Sequence, residues 1–217
     1  MITHHVNNFT VKVNPAIGIN DLQVELEKSN QFIPLGPFST DVKIDDIIEF
    51  NLIGGFVELF GQPKDWIINA EISTSTGDVE TGADVVKNVS GYNLTRFIAG
   101  SRGKIGKLRK VTFRTLPIRK KINVEPCKIL NGFRIVLLPD KIQDIEKLLL
   151  KQPCNIQIFA KNGIVDIELF QEFKLEKIIP KIEKWYVLKN GVPFPLNENN
   201  SEYHKLIEKL TENVPTH

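Results

Sequence analysis

The chain has 217 residues, of which 41% are hydrophobic and 25% are charged, and its formal net charge is +2 at pH 7. These proportions are those of an ordinary globular protein and exclude a disordered or fibrous chain. No run approaches the roughly 20 apolar residues of a membrane-spanning helix. The polar N-terminus lacks the apolar core of a signal peptide, so we expect a cytoplasmic protein.

Cysteines and histidines give no support to metal or disulfide chemistry. Cys127 and Cys154 are far apart in the sequence and form neither a disulfide framework nor a zinc motif. All histidines lie near the two ends of the chain, at positions 4, 5, 204 and 217. We therefore predict no metal site.

The first elements are a short strand and a helix. Residues 11–13 are β-formers, and the strand is closed by an Asn-Pro pair. Residues 19–28 have helical spacing, with Asn20 as the predicted N-cap. Leu22 and Leu26 are predicted to lie on the buried face of this helix.

A hairpin and a long strand follow. Residues 66–74 alternate, which predicts a strand with one buried face; the predicted inward residues are Trp66, Ile68, Ala70 and Ile72. The Thr-Gly-Asp run at 76–78 is typical of a turn, with residues 79–81 returning as the partner strand. Residues 108–116 are again rich in β-formers and end at a proline.

The sequence pattern changes near residue 119, and we place a domain boundary at 117–121. The predicted elements beyond it are strand 133–138, a helix capped by Asp140, strands 156–160 and 164–169 joined by a turn at 161–163, a proline-broken helix 175–183, strand 185–188 and helix 201–211. This order is typical of a small α+β layer with its helices on one face.

A basic, glycine-rich stretch covers residues 85–124, which contain no Asp or Glu but 11 Lys or Arg residues. Glycines let a backbone approach a ligand closely, and cations favour a phosphate-bearing one. The spacing matches neither a Rossmann fingerprint nor a P-loop. A solvated basic strand with its turns explains the composition equally well.

Particular motifs in this stretch resemble a known family. The runs VVKNVSGYNLTR at 85–96 and GSRGKIG at 100–106, continuing to the proline at 117, resemble the signature of the FAD-linked oxidases related to vanillyl-alcohol oxidase and p-cresol methylhydroxylase (PCMH). Within that superfamily the nearest resemblance is to the FAD-binding subunit of glycolate oxidase. Residues 61–67 and 11–35 are more loosely similar to other parts of the same family.

The resemblance implies an α+β protein in which residues 1–118 form the second lobe of a PCMH-type FAD-binding domain and residues 119–217 a cap-like α+β domain. The resemblance also implies that the first lobe, which grips the FAD pyrophosphate in that family, is missing, so we expect a truncated member of the family. Carried over by position, the implied cofactor-binding residues are Ile44, Asp45, Asp46, Ile47, Gly54, Gly55, Gly100, Ser101, Gly103, Ile105, Gly106, Lys107 and Leu108. The implied reaction is oxidation of a 2-hydroxy acid with hydride transfer to the flavin.

Two departures from the family pattern matter. Asp45 and Asp46 lie where the family has a glycine pair, and two carboxylates would repel a pyrophosphate. Lys107 and Arg109 replace small or apolar residues of the family. No residue lies in a recognisable catalytic pattern, so the catalytic residues stay unassigned.

Three hypotheses follow. In the first, the chain is an FAD-dependent oxidoreductase component whose flavin site is completed by a partner protein or a second copy. In the second, it is a degenerate, non-enzymatic scaffold or assembly protein that binds no FAD. In the third, the basic stretch binds an anion or nucleic acid; we do not expect this, because acidic residues elsewhere nearly cancel the charge and few aromatic side chains interleave with the cations.

Overall fold

The computed structural model describes residues 1–82, 95–101, 103–120, 122–128, 132–169, 184–189 and 192–195. Within these ranges the chain divides into two compact units. The first is formed mainly by residues 1–56 and 60–127, and the second mainly by residues from 128 onward together with 57–59. The predicted helices at 175–183 and 201–211 and the motif at 85–94 lie outside the described residues. The functional division at residue 118 stays a prediction.

Both units combine helices with antiparallel strands, which confirms the α+β class. The helices are α1 Ile19–Glu27, α2 Ile44–Glu49, α3 Val57–Phe60, α4 Thr95–Ile98 and α5 Ile142–Leu149. The strands are β1 Ile2–His5, β2 Thr10–Val13, β3 Gln31–Phe32, β4 Ile67–Thr74, β5 Gly77–Gly82, β6 Lys107–Arg114, β7 Leu116–Pro117, β8 Gly132–Val136, β9 Cys154–Phe159, β10 Ile164–Leu169, β11 Lys184–Lys189 and β12 Val192–Pro195. None of the helices described is long and apolar enough to cross a bilayer.

The first unit is built on a five-stranded antiparallel sheet in the order β1-β2-β6-β4-β5. Its two faces differ, because alternate residues of a strand point to opposite sides. Val11, Val13 and Phe113 are at most 1% exposed, whereas Lys12, between the two valines, is a partly exposed polar position. The sheet therefore has one apolar, buried face and one polar face.

Helix α1 follows the sequence prediction in its buried face but not in its cap. Leu22 and Leu26 are fully buried, as predicted. The predicted cap at Asn20 is wrong, because the N-cap is Gly18 and Asn20 lies inside the first turn. A side chain at Gly18 would meet the carboxylate of Asp41, which instead accepts a hydrogen bond from the Asn20 backbone N–H at 3.2 Å.

Strand β4 departs from the predicted alternation at one residue. The hairpin with β5 is present as predicted, with Thr74 opposite Gly77. Against β6, however, Ile67 pairs with Phe113 and Asn69 with Thr112, so Ile68 is an extra residue in a bulge. A bulge reverses the sides to which neighbouring residues point. Ile67 is consequently 2% exposed, and its predicted outward orientation is wrong.

The second unit is an antiparallel sheet in the order β12-β11-β8-β10-β9. Its core cluster joins strand residues Ile135, Val165 and Ile167 to Ile142 and Leu149 of α5. The predicted hairpin turn at 161–163 joins β9 to β10.

Two polar features complete the second unit. Asp140 was predicted to cap the helix, but it lies within a 3₁₀ turn, and the N-cap of α5 is Lys141 without a side-chain bond. On the sheet, Arg134 and Asp166 are directly opposite each other and form a buried bidentate ion pair with both contacts at 2.6 Å.

Candidate functional site

A cavity of about 960 Å³ opens beside the polar face of the first sheet. This volume lies at the upper end of the range for small-molecule sites. Five chain segments form its wall: the N-terminus with β1, the end of β2 with the turn after it, the start of α2, the β4–β5 hairpin and the start of β6. Asp45, Lys107 and Leu108, all in the set implied by the family resemblance, line this cavity.

Gly106 fixes the start of β6 against β4. Its φ of +144° is a conformation that residues with a side chain rarely adopt. A Cβ on Gly106 would lie 2.6 Å from both the Ile72 side chain and the Ser73 carbonyl oxygen. The absence of a side chain thus lets β6 begin in close contact with β4, with Leu108 buried at 5% exposure and Lys107 exposed beside the cavity.

A second bulge decides which side chains of β6 face the cavity. Ile72 pairs with Leu108 and Glu71 pairs with Lys110, so Arg109 has no partner across the strand pair. Because of this extra residue, both Arg109 and Lys110 are exposed and line the cavity. The bulge therefore gathers cations that regular alternation would separate.

Glu71 neutralises part of this positive charge. It accepts hydrogen bonds from Lys110 at 2.8 Å and from Lys12 at 3.1 Å. These bonds, first that from Lys110, lower the pKa of the Glu71 carboxyl. Within the part of the chain that the structure describes, Lys107 and Arg109 form no such close ion pair.

Three carboxylates lie on α2, close to the glycine-rich turn. Asp45 and Asp46 occupy the first helical turn, where the helix dipole favours negative charge. Burial raises the pKa of Asp46, and the neighbouring Asp45 adds to the effect. Burial, followed by repulsion from Asp45 and Asp46, also raises the pKa of Glu49, while Lys107 acts in the opposite direction.

The turn at 100–106 packs on the end of α2. The Gly100 backbone N–H donates to the Ile48 carbonyl at 2.8 Å, and Ser101 is buried. Gly103 and Lys104 are exposed in this turn, and a Cβ on Gly103 would lie 3.8 Å from a Glu49 carboxylate oxygen. None of the described residues of this turn, Ile105 included, lines the large cavity.

The other residues of the implied set lie away from the cavity. Ile44 and Ile47 are fully buried on the inner face of α2. Asp46, on the same helix, is half-buried and is absent from the lining. Gly54 and Gly55 pack against backbone, since a Cβ would lie 2.4 Å from the carbonyl oxygen of Leu35 and of Glu125 respectively.

A second, smaller cavity of about 310 Å³ also belongs to the first unit. Its wall includes Gln23 of α1, Phe32, Gly36 and Phe56. The Gln23 side chain holds the segment after β3, because it accepts from the Ile33 N–H at 3.1 Å and donates to the Ile33 carbonyl. No residue of the implied set lines this cavity.

Sequence reasoning did not identify Lys12, Glu71, Arg109 and Lys110 as members of one site. A usable signal was present, since Lys12 and Glu71 are charged residues between buried neighbours on strands. The pairing that joins them depends on sheet order, which the sequence pattern does not specify. Among the residues that the structure describes, no group of His, Cys, Asp and Glu side chains could hold a metal ion.

Comparison with known proteins gives sequence relatives but no match to a family model. Mitochondrial D-lactate dehydrogenase [cytochrome] of Arabidopsis thaliana is 32% identical over 124 residues, which are 57% of this chain and 22% of that protein. Glycolate oxidase subunit GlcD of Bacillus subtilis is 32% identical over 113 residues, covering 51% of this chain and 24% of the relative. Subunit GlcE of the Escherichia coli enzyme is 28% identical over 99 residues, covering 44% and 28%.

Solved structures also resemble the chain. The 6-hydroxy-D-nicotine oxidase of Arthrobacter nicotinovorans superposes with a TM-score of 0.49 at 13% identity, over 97% of this chain and 47% of that one. The curated relatives above are several times longer than the matched region, so the chain spans about a quarter of their length.

Proposed function

This chain is a relative of the FAD-linked oxidases, and we propose that it is a component of an FAD-dependent oxidoreductase that acts on a 2-hydroxy acid. The names of its relatives support the substrate class, because D-lactate and glycolate are both 2-hydroxy acids. The observation that carries the proposal is the cavity on the first unit, which contains residues from the implied cofactor set.

The cavity suits the proposed cofactor in size and in part of its charge. FAD bears two phosphates. Four cations line the cavity together with four carboxylates, so the cations at the start of β6, rather than the wall as a whole, would attract the phosphates. Ala16 and Val79 supply a small apolar part of the wall for a ring system. Asp45 opposes an anion, so the ligand's phosphates belong at the β6 side of the cavity, away from α2.

Bound FAD would supply the redox chemistry by accepting a hydride from the substrate. The chain's residues would bind and orient it. The cations would fix the position of the charged end. No described residue of the cavity is assigned as a general acid or base.

A partner completes the proposed site. The family resemblance places the pyrophosphate-gripping loop in a first lobe, and the Bacillus and E. coli relatives are named as subunits. We propose that another polypeptide or a second copy of this chain covers the open side of the cavity.

Flavin titration tests the proposal. FAD would be added to the purified protein alone and to the protein co-expressed with a candidate first-lobe chain, with flavin fluorescence and visible absorbance as readouts. We expect weak quenching for the chain alone and a tighter, yellow complex with the partner. Unchanged fluorescence in both samples would contradict the proposed function.

A second candidate is a scaffold or assembly protein that binds no FAD. The carboxylates of α2 favour it, since Asp46 and Glu49 already have raised pKa values and a nearby pyrophosphate would add to the repulsion. Replacing Asp45 and Asp46 by Asn separates the two functions. A flavoprotein should bind FAD more tightly after the exchange, whereas a scaffold should show no flavin binding before or after it.

A further inference from the structure

We propose that the cavity recognises its ligand by a diphosphate group held at Lys107 and Arg109, so that a nucleoside diphosphate binds without any flavin ring. This inference deepens the proposed function and rests on it for the identity of the cavity as a cofactor site. It concerns residues at which this chain departs from the family pattern.

The cations on the cavity wall differ in whether a carboxylate already pairs with them. Glu71 holds Lys12 and Lys110 at 3.1 and 2.8 Å, so these two cations are already compensated. Lys107 and Arg109 have no ion pair this close within the described part of the chain. They are therefore the cations most able to attract an added anion.

The acidic residues of the wall are also partly engaged. Glu80 accepts a hydrogen bond from the Asn69 side chain at 2.7 Å, and Asp45 accepts one from the backbone N–H of Asp46 at 3.0 Å. Asp45 lies on α2, and Glu80 and the exposed Asp78 lie on β5, whereas both available cations are on β6. The positive end of the cavity is therefore the start of β6.

The side chains at this end suit a diphosphate. The planar guanidinium of Arg109 can form two parallel bonds with phosphate oxygens, and the ammonium group of Lys107 adds a compact charge. Both residues are exposed, so a ligand can reach them without unfolding the strand. The bulge fixes the backbone at Arg109, which reduces the entropy lost when a ligand binds.

The remaining wall fits a nucleoside. Ala16 and Val79, which line the cavity and are not buried, offer apolar contact to a base. Asp78, on β5, is exposed and supplies carboxylate oxygens that can accept hydrogen bonds from ribose hydroxyls. ADP therefore contains every group that this cavity needs, whereas riboflavin lacks the phosphates.

The test is calorimetric titration of the whole chain with ADP, AMP, FAD and riboflavin at low and moderate salt. We expect ADP to bind, AMP to bind about tenfold more weakly because one charged group is lost, riboflavin not to bind, and ADP affinity to fall with salt. Arg109→Gln and Lys107→Gln should each weaken ADP by about tenfold or more.

Two control variants make the result specific. Lys110→Gln removes a cation of the same cavity that Glu71 already occupies, and Lys151→Gln removes an exposed cation of the second unit; both should change ADP affinity less than Arg109→Gln. Unchanged thermal unfolding would show that each variant is folded.

The outcomes separate the inference from the proposed function. FAD binding that Arg109→Gln and Lys107→Gln leave unchanged, or FAD binding without ADP binding, would overturn the inference while the proposed function stands. ADP binding that depends on both residues, without any FAD binding in the presence or absence of a partner, would support the inference and contradict the proposed function. Failure of ADP to bind, together with failure of FAD to bind in the presence and in the absence of the partner, would overturn both.

Discussion

Gly106 offers the sharpest test of how the cavity wall is built. Replacing it by Ala puts a methyl group 2.6 Å from the Ile72 side chain and from the Ser73 carbonyl oxygen. Because the carbonyl is backbone, β4 and β6 must separate to make room. Overpacking of this kind costs about 1–3 kcal/mol, and the positive φ adds about 1 kcal/mol. We expect Gly106→Ala to lower the free energy of unfolding by about 2–4 kcal/mol.

Gly77 provides the matched control. Its φ of +134° resembles that of Gly106, but a Cβ there would meet no atom within 4 Å. Gly77→Ala should thus cost only the backbone strain, about 1 kcal/mol. Urea unfolding of both variants and the parent measures the difference. Equal destabilisation by the two substitutions would refute the claim that close contact between β6 and β4 requires a glycine at position 106.

Other predictions concern charged groups. The folded-state pKa values of Asp46 and Glu49 are raised, so their ionisation opposes folding at neutral pH and this cost disappears as pH falls toward their unfolded values of 3.8 and 4.5. Glu49→Gln should accordingly raise the free energy of unfolding, measured with urea at pH 7, by about 0.5 kcal/mol or less because the group is half-exposed. It should leave the free energy of unfolding unchanged at low pH, and a loss of stability at pH 7 would contradict this. Glu71 behaves oppositely, because its lowered pKa gives stability that is present above its unfolded value of 4.5 and is lost as pH falls through the folded value. Glu71→Gln should therefore lower the free energy of unfolding at pH 7. An equal effect at pH 3 would argue against the assigned cause. In the second unit, Asp166→Ala should lower the free energy of unfolding by about 3–5 kcal/mol because it leaves the buried Arg134 unpaired. The double variant Arg134→Met, Asp166→Leu should recover most of that loss in thermal unfolding. An undiminished loss in the double variant would show that the ion pair itself is needed.

The local pattern of the sequence predicted several elements well. Leu22 and Leu26 have helical spacing, which depends only on neighbours in the chain, and both are buried. The turn at 161–163 was likewise predicted from its residue types, whereas the turn predicted at 76–78 lies at 75–76, because Gly77 and Asp78 already belong to β5. These features need no information about distant strands.

The errors arose where tertiary pairing decides the outcome. Ile68 fits a regular strand, and only the register with β6 makes it a bulge residue. Asn20 is a good capping residue, but the close approach of Asp41 to Gly18 moves the cap to the glycine. Local preference is overridden in both cases by a contact with a remote segment.

The same difference between local pattern and tertiary pairing explains why the candidate site was only partly predictable. Asp45, Lys107 and Leu108 were found from a resemblance of motifs and line the cavity. Ile44 is turned into the core by the helical period of α2. Lys12, by contrast, reaches the site only because β2 lies beside β6 in the sheet, an adjacency that no local motif encodes.

The central claim is that the cavity beside the polar face of the first sheet is where FAD binds. Backbone amide chemical shifts of the isotope-labelled protein, recorded while FAD is added with and without the first-lobe partner, test this location directly. The largest changes should occur at Lys107–Lys110 and at Asp78–Glu80, with little change at Gln23 and Gly36 of the smaller cavity. Changes centred on Gln23 and Gly36, or no changes at saturating FAD, would contradict the claim.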